Sequence, residues 1–237
     1  MRVEEAVREV LAGAEGNAAV AVLDLSTGES VQVGAEHDFV TASIVKVDIL
    51  ATLLLQASDA GRSLTAQEER QASVMIENSD NAAANALWDA IGGAEGLAKA
   101  NLRLGLTETT PGPGVYWGLT QTTPADQLRL LQAVFGEDSV LSADARGYLR
   151  GLMGSVASDQ DWGISAGLDD SGSVHLKNGW LARSESGLWV VNSIGRVEAD
   201  GDTLLLAVLC DGQASQKAGI SLVEDLAERT RTAVTDG

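Results

Sequence analysis

The hydrophobic pattern of this chain changes period twice, and this change limits the folds that the chain can adopt. Residues 3–11 carry apolar side chains at helical spacing, and an almost unbroken apolar run follows at residues 18–25. The run ends in a turn at residues 26–29, after which Val31 and Val33 alternate with polar residues. This order predicts an amphipathic helix followed by a β-hairpin with one well-buried strand.

The rest of the chain is helical in pattern first and strand-like afterwards. The helical pattern runs from about residue 41 to 155 and is interrupted only by glycines and prolines. Strand-like segments then return, separated by turn-rich sequences at 184–187 and 198–201. These strand segments are residues 174–180, 188–195 and 203–210. A final amphipathic helix carries its apolar side chains on one face, at Ile220, Val223, Ala227, Thr230 and Val234.

We therefore expect an α/β (α+β) fold in which both ends of the chain build one five-stranded antiparallel sheet flanked by terminal helices. The first part of this α/β lobe would be residues 1–40 and the second part residues 171–237. Residues 41–170 would form an inserted all-helical lobe, with a cleft at the seam between the two lobes.

The charge balance and the cysteine content exclude several kinds of partner and site. The chain has 34 acidic and 16 basic residues, a formal net charge of -18, which would repel nucleic acid and anionic membrane surfaces. A small molecule is the expected partner instead. The single cysteine, Cys210, excludes an internal disulfide framework and a multi-cysteine metal site, and its apolar surroundings indicate a buried, inert thiol.

The sequence as given has no pattern of a secretory signal, and no apolar run approaches the ~20 residues of a membrane span. We expect a cytoplasmic protein, or an exported one if the sequence has been trimmed.

The helix predicted to begin at Ser43 places a lysine in apolar surroundings. Residues 43–55 are apolar on nearly every side of the helix, so Lys46 would be an ammonium group in a medium of low dielectric constant. Ser43 lies one turn earlier on the same face, close enough for its hydroxyl to meet the amine. A desolvated lysine beside a serine at a helix N-terminus is a nucleophile with a base. In the alternative interpretation, Ser43 only caps the helix and Lys46 lies on the surface.

Two further polar segments have plain structural explanations when each is taken alone. The Ser79-Asp80-Asn81 segment directly precedes a helical stretch, and all three residue types are favoured helix N-caps. The Lys177-Asn178-Gly179-Trp180 segment lies in a strand whose alternation puts His175 and Lys177 on one face. Taken alone, it indicates an exposed strand end.

Taken together and in this order, the three segments resemble the S-x-x-K, S-D-N and K-T-G signature of the penicillin-recognising serine enzymes. The sequence at residues 75–85, the Ile91-Gly92-Gly93 that follows and residues 122–126 are similar to the class A β-lactamase branch. The resemblance covers roughly residues 15–235. It implies the same architecture, with Ser43 on the first helix of the helical lobe and Lys177 on a strand facing it.

The resemblance also implies an acyl-enzyme mechanism with no metal or organic cofactor. Ser43 would attack an acyl carbonyl, and Lys46 would accept its proton directly or through water. Ser79 would relay a proton to the leaving nitrogen, while Lys177 would bias Ser79 and attract a substrate carboxylate. Backbone N–H groups of Ser43 and Trp180 would form the oxyanion hole. Substrate-binding roles are implied for Asn81, Asn178, Gly179 and Trp180.

The loop that should carry the deacylating group departs from the class A pattern. Class A enzymes have a glutamate followed by Leu-Asn in an Ω loop, where it activates the water that releases the acyl group. Residues 107–122 contain no such motif, and Glu108, at the start of this stretch, is its only carboxylate. The machinery for acylation is therefore present in the sequence, whereas the machinery for deacylation is not found.

Two other departures concern the shape of the site and the recognition of a carboxylate. Ser43 and Ser79 are only 36 residues apart, fewer than in class A enzymes, which predicts a more open site. Asn178 stands where the signature has a threonine, and neither Arg183 nor Arg196 is convincingly placed beside it.

The sequence thus predicts a serine hydrolase that a β-lactam or a related amide or ester acylates at Ser43 and that releases the acyl group slowly. A DD-peptidase or esterase of the same fold is one alternative. A non-catalytic ligand-binding or sensor relative that has kept the pocket is another. The natural substrate and the oligomeric state stay open.

Overall fold

The computed structural model describes residues 2–169, 172–199 and 201–235. No helix in these ranges is both long and apolar enough to cross a membrane. The helices are α1 (Arg2–Gly13), α2 (Val45–Asp59), α3 (Ala66–Glu77), α4 (Asn81–Ala90), α5 (Gly93–Leu104), α6 (Pro124–Phe135), α7 (Ala143–Met153) and α8 (Gln216–Thr235). The strands are β1 (Asn17–Asp24), β2 (Ser30–Gly34), β3 (Phe39–Val40), β4 (Gln121–Thr122), β5 (Ser173–Ala182), β6 (Trp189–Ala199) and β7 (Asp202–Gln213).

Five strands form one antiparallel sheet in the order β2-β1-β7-β6-β5. The first strand of the chain pairs with the last along its whole length, from Asn17 opposite Asp211 to Asp24 opposite Leu204. Both ends of the chain therefore build one sheet. The predicted α/β fold with a five-stranded antiparallel sheet is confirmed.

The central strands are buried on both faces, which explains their unbroken apolar sequences. On one face of β1, Val20 and Val22 pack in a core with Val223 of α8. On the other face, Ala21 and Leu23 join the core formed by the helices between β3 and β5. Burial of a valine or leucine side chain contributes about 1.5–3 kcal/mol, so this double core holds the sheet against both helical layers.

The segment between β3 and β5 is less uniformly helical than its pattern predicted. The helix expected to begin at Ser43 starts as a 3₁₀ turn, Ala42–Ile44, and α2 begins at Val45. β3 and β4 form a two-stranded ladder, and residues 105–116 form no helix, because the prolines and glycines at 111–114 cannot continue one. The prediction of helix throughout residues 41–155 is wrong at these places.

The strand boundaries near the C-terminus also differ from the prediction. β6 extends to Ala199 rather than ending at residue 195, because its ladder with β7 continues to the pair of Ala199 and Asp202. Glu198 is therefore a strand residue, and not part of a turn at 198–201. Asp200, in the same predicted turn, lies outside the described residues. The division into lobes at residues 40 and 170 stays a prediction, and residue 170 itself is not among those described.

Cys210 lies on β7 in the core beneath α8 and is fully buried. Its Sγ donates to Val191 O at 3.0 Å. Burial raises the pKa of the thiol to about 12, so almost no thiolate forms at neutral pH. The prediction of a buried, inert thiol is confirmed.

Candidate active site

Lys46 lies in the first turn of α2 and is 0% exposed. Its Nζ donates to Ser79 O at 2.7 Å, to Ser79 Oγ at 3.1 Å and to Asn81 Oδ1 at 2.8 Å. An ammonium group has three protons, so each of them has an acceptor here. The interpretation of Lys46 as a surface lysine is wrong, and the first two sequence segments meet at its amine.

The plain explanation of the Ser79-Asp80-Asn81 segment as a helix cap also holds. Asp80 is the N-cap of α4, and its carboxylate accepts from the Ala83 N–H at 2.7 Å. This cap fixes where α4 begins, and both residues that flank Asp80 contact Lys46. One short segment thus caps a helix and supplies polar atoms to the site.

The environment of Lys46 favours the loss of its proton. Burial lowers the pKa of this amine to about 7, and the negative charge of Asp80 opposes part of the shift. The Trp117 ring centroid lies 4.9 Å from Nζ, and its π face favours the charged form. Charged and neutral amines therefore coexist near neutral pH, and only the neutral amine can accept a proton.

Lys177 lies in the middle of β5, is 1% exposed and reaches the same serine hydroxyl. Its Nζ donates to Ser79 Oγ at 3.0 Å and to Asn178 O at 3.0 Å. Burial lowers the pKa of Lys177 well below its ordinary value, and the charge of Lys46 lowers it further. The interpretation of this segment as an exposed strand end is wrong, and the Ser79 hydroxyl lies between two buried amines.

The lowered pKa of Lys177 bears on its expected role as an attractor of carboxylates. An amine without its proton has no charge to attract an anion. A substrate carboxylate beside Lys177 would favour the charged form and raise the pKa again. Binding of an anion and uptake of a proton by Lys177 are therefore linked.

Ser43 lies in the 3₁₀ turn before α2, directly after a residue with a strained backbone. Ala42 has φ 48° and Ser79 has φ 55°, and in the described part of the chain these are the non-glycine residues with positive φ. A left-handed conformation costs roughly 1–2 kcal/mol for such residues. It persists only where the surrounding structure holds it, which is common at functional sites.

Two residues of the sheet support the Ser43 turn from below. The Asn192 amide on β6 donates to Val40 O at 2.9 Å and to Thr41 O at 3.0 Å. At Gly179 on β5, a Cβ atom would lie 2.7 Å from the Ser43 nitrogen and 2.8 Å from Thr41 O. Only glycine therefore lets β5 approach the turn this closely.

Ser43 and Lys46 come from the same segment, but their polar atoms are not joined in this state. Among the described residues, the Lys46 amine has its three acceptors on Ser79 and Asn81, and Ser43 Oγ is not one of them. A neutral amine keeps two of these hydrogen bonds and gains a lone pair. That lone pair can accept a proton from Ser43, directly or through water.

Asn178 and Trp180 lie on the same strand as Lys177 but have different surroundings. The buried Asn178 amide donates to Gln160 O and to Trp162 O, both at 2.8 Å. Both of its N–H protons are thus used within the protein, and a substrate contact by Asn178 stays a prediction. Trp180 is partly exposed, and its ring centroid lies 5.8 Å from that of Trp162.

Neither arginine considered for carboxylate recognition lies opposite Asn178. The ladder of β5 and β6 pairs Asn178 with Ser193 and pairs Arg196 with His175. Arg183 follows the last residue of β5. The position opposite Asn178 is held by a serine instead.

The loop between α5 and α6 contributes Trp117, which the sequence analysis did not single out. Its ring packs against the Lys46 amine, and its indole N–H donates to Asn85 Oδ1 at 2.7 Å. Glu108, the carboxylate at the start of this loop, is instead 3.5 Å from Arg129 Nη1. Among the described residues, no carboxylate hydrogen-bonds the amine of Lys46 or Lys177.

Comparison with known families follows from this geometry. A family model described as "Beta-lactamase enzyme family" matches residues 2–74 and 67–234. The chain belongs to the beta-lactamase enzyme family. Proteins named "Putative lipoprotein LppW" from Mycobacterium tuberculosis and Mycobacterium bovis are 30% identical to this member over 186 residues, 76% of its length. The match covers 59% of these curated relatives, so the chain spans less than two thirds of their length.

Solved structures of β-lactamases have the same fold as this family member. A class A β-lactamase from Bacteroides cellulosilyticus is 16% identical, with a TM-score of 0.85 and coverage of 100% of this chain and 98% of the other. The TLA-1 extended-spectrum β-lactamase is 15% identical, with a TM-score of 0.87 and coverage of 98% of both chains. PBP-A, as an acyl-enzyme complex with penicillin G, is 23% identical, with a TM-score of 0.84 and coverage of 100% and 97%. The family and the fold together support a serine hydrolase of the class A type.

Proposed function

We propose that this protein is a serine acyl-hydrolase in which Ser43 forms an ester with a β-lactam or a related amide or ester. The observation that carries the proposal is the position of Ser79 Oγ, 3.1 Å from Lys46 Nζ and 3.0 Å from Lys177 Nζ in a buried site. Such a hydroxyl can pass a proton between an amine and a leaving group. The acyl-enzyme complex of PBP-A with penicillin G, a protein of the same fold, supports a β-lactam as the probe.

The proposed reaction moves one proton through the site. Ser43 Oγ attacks the carbonyl carbon, and its proton goes to neutral Lys46 as the new C–O bond forms. The N–H groups of Ser43 and Trp180 stabilise the oxyanion. The C–N bond then breaks as the leaving nitrogen takes the Ser79 hydroxyl proton, and protonated Lys46 returns a proton to Ser79. Asn81 would bind the amide side chain of the substrate.

We propose that release of the acyl group is slow. Hydrolysis of the ester needs a base that activates water on the open face of the ester. The class A loop motif is missing from residues 107–122, and Glu108 lies near Arg129 instead. Trp117, which packs on the Lys46 amine, has no group that can act as a base.

Intact-protein mass spectrometry after incubation with penicillin G tests the proposal. We expect a mass increase equal to one penicillin that persists for many minutes in the wild type and is absent in Ser43→Ala. Ser58→Ala, an exposed serine on the same helix α2, is the matched control and should be acylated like the wild type. The absence of both an adduct and turnover of penicillin in the wild type would refute the proposal.

Gly179→Ala is expected to reduce the acylation rate at least tenfold and to lower the free energy of unfolding by about 1–3 kcal/mol. The new methyl group would press on backbone atoms of the Ser43 turn, which cannot rotate away. The measurements are the adduct formation rate and urea unfolding. Gly147→Ala is the control, because that exposed glycine of α7 has open space at the Cβ position and alanine is the better helix former. Equal acylation of both variants would contradict this account of the turn.

The lipoprotein name of the curated relatives supports a location outside the cytoplasm for the protein. An exported acyl-hydrolase would meet cell-wall peptides, which favours the DD-peptidase alternative for the natural substrate. Release of D-alanine from an acyl-D-Ala-D-Ala peptide, absent in Ser43→Ala, is the expected result. A protein that penicillin acylates but that leaves this peptide intact would exclude the DD-peptidase alternative alone.

A further inference from the structure

A cavity of about 580 Å³ lies at the seam between the sheet and the helices, away from Ser43. Its lining includes Arg150 from α7, and His175 and Arg196 from β5 and β6. His175 is two residues before Lys177 on the same face of β5, a separation of roughly 6–7 Å along the strand. The cavity is of the size that holds small ligands, and three basic side chains from three elements meet in its wall.

The positive charge of this cavity is unusual for the chain and is only partly balanced. The net charge of the whole chain is -18. Arg150 donates through Nε to Val134 O at 2.7 Å, and the positive charges of Arg146 and Arg196 both lower its pKa. Arg196 pairs with Glu198 through one nitrogen, Nη2. Among the described residues, no carboxylate forms an ion pair with Arg150, so like charges gather here without a full set of counter-charges.

The unused donors of the two arginines are suited to an oxyanion. Arg150 bonds backbone carbonyls through Nε and Nη2, and Arg196 bonds Glu198 through Nη2. In the described part of the chain, Nη1 of Arg150 and both Nε and Nη1 of Arg196 have no hydrogen-bond acceptor. Guanidinium N–H groups of this kind bind carboxylate and phosphate-type oxygens in planar, paired geometry.

His175 provides a second, independent sign of a missing partner. Its ring packs edge-on against Phe135 at 5.7 Å, and its Nδ1 is buried with no hydrogen-bond partner among the described residues. Burial lowers the pKa of His175, the charges of Arg196 and Arg150 lower it further, and Glu198 opposes them. Glu137, exposed at the rim, adds a second negative charge to the lining. A bound anion would reverse this balance and favour the protonated ring.

We propose that this cavity binds a small oxyanion, a carboxylate or a phosphate-type group, between Arg150 and Arg196 with His175 as a third donor. The two arginines belong to α7 and to β6, so the anion joins a helix to the sheet across the seam. The site is separate from Ser43 and does not depend on acylation.

Nuclear magnetic resonance of the two histidine rings tests this proposal in the wild-type protein. His37 is the internal control, because it is exposed and pairs with Asp211 far along the sheet from the cavity. Sodium sulfate replaces sodium chloride at constant ionic strength, and sodium acetate is titrated in a second series. We expect a saturable shift of the His175 ring signals and a rise of its titration midpoint, with His37 unchanged. Stronger binding of sulfate indicates a phosphate-type ligand, and stronger binding of acetate indicates a carboxylate.

Variants test which side chains form the site. Arg196→Gln is expected to weaken binding at least tenfold, whereas Arg229→Gln, on the exposed surface of α8 near Asp225, should bind like the wild type. Circular dichroism checks that both variants are folded, and the wild-type titration stands if Arg196→Gln is not. No shift of His175, equal shifts of both histidines, or equal binding by the two variants would overturn the proposal.

Discussion

Lys46→Met is expected to lower the rate of Ser43 acylation by about 10²–10⁴-fold, the range for loss of a general base. Methionine fills nearly the same volume in the first turn of α2 but has no amine to take the serine proton. The rate of penicillin adduct formation under excess penicillin measures the effect. Lys99→Met is the matched control, because the Lys99 amine is exposed on α5 and pairs only with Glu95. Equal acylation by the wild type and Lys46→Met would exclude Lys46 as the base.

The same base predicts how acylation depends on pH. Because the pKa of Lys46 is lowered to about 7, the neutral fraction falls about tenfold for each pH unit below 7 and is nearly complete above pH 8. The acylation rate should therefore rise with pH and level off at mildly alkaline pH. A rate that is constant between about pH 5.5 and 8.5 would contradict a base with this pKa.

Lys177→Met identifies which amine titrates in this profile. The charge of Lys46 lowers the pKa of Lys177, and this repulsion is mutual. Removal of the Lys177 amine should therefore raise the pKa of Lys46 and move the midpoint of the acylation profile to higher pH. An unchanged midpoint would mean that another group controls the rate.

The sheet could be predicted from the sequence because burial leaves a direct trace there. β1 and β7 are covered on both faces, so nearly every residue in them is apolar. The contacts of the three signature segments followed from a resemblance, since no period in the sequence brings residues 43, 79 and 177 together. Periodicity alone placed Lys46 in apolar surroundings, and its full burial agrees with that expectation.

Other parts of the site depend on contacts that a single segment does not encode. The position of Trp117 depends on a loop held by hydrogen bonds from the Trp88 indole to Gly114 O and from the Gly112 N–H to the Thr120 hydroxyl. Asn192 left a weaker sign, since an amide in the apolar strand β6 needs partners. Its partners, however, lie about 150 residues away in sequence, at Val40 and Thr41.

Asp48→Asn is expected to stabilise the protein, and increasingly so as the pH rises from 5 to 8. Asp48 lies on α2 and is 2% exposed, and within the described part of the chain its Oδ1 has no hydrogen-bond partner. Burial raises its pKa to about 8, the neighbouring Asn101 amide opposes the shift, and the charge of Asp126 adds to it. Between the ordinary value of 3.8 and about 8, the folded state therefore holds one proton more than the unfolded state.

This extra proton sets the sign and size of the effect. Stability falls by about 1.4 kcal/mol for each pH unit in that window, and asparagine removes this dependence. The free energy of unfolding of Asp48→Asn, measured in urea, should thus exceed that of the wild type by an amount that grows by up to about 4 kcal/mol between pH 5 and 8. Asp89→Asn, an exposed carboxyl on α4, is the control and should follow the wild type at every pH. A difference between Asp48→Asn and the wild type that stays constant with pH would mean that Asp48 is already ionised in the folded protein.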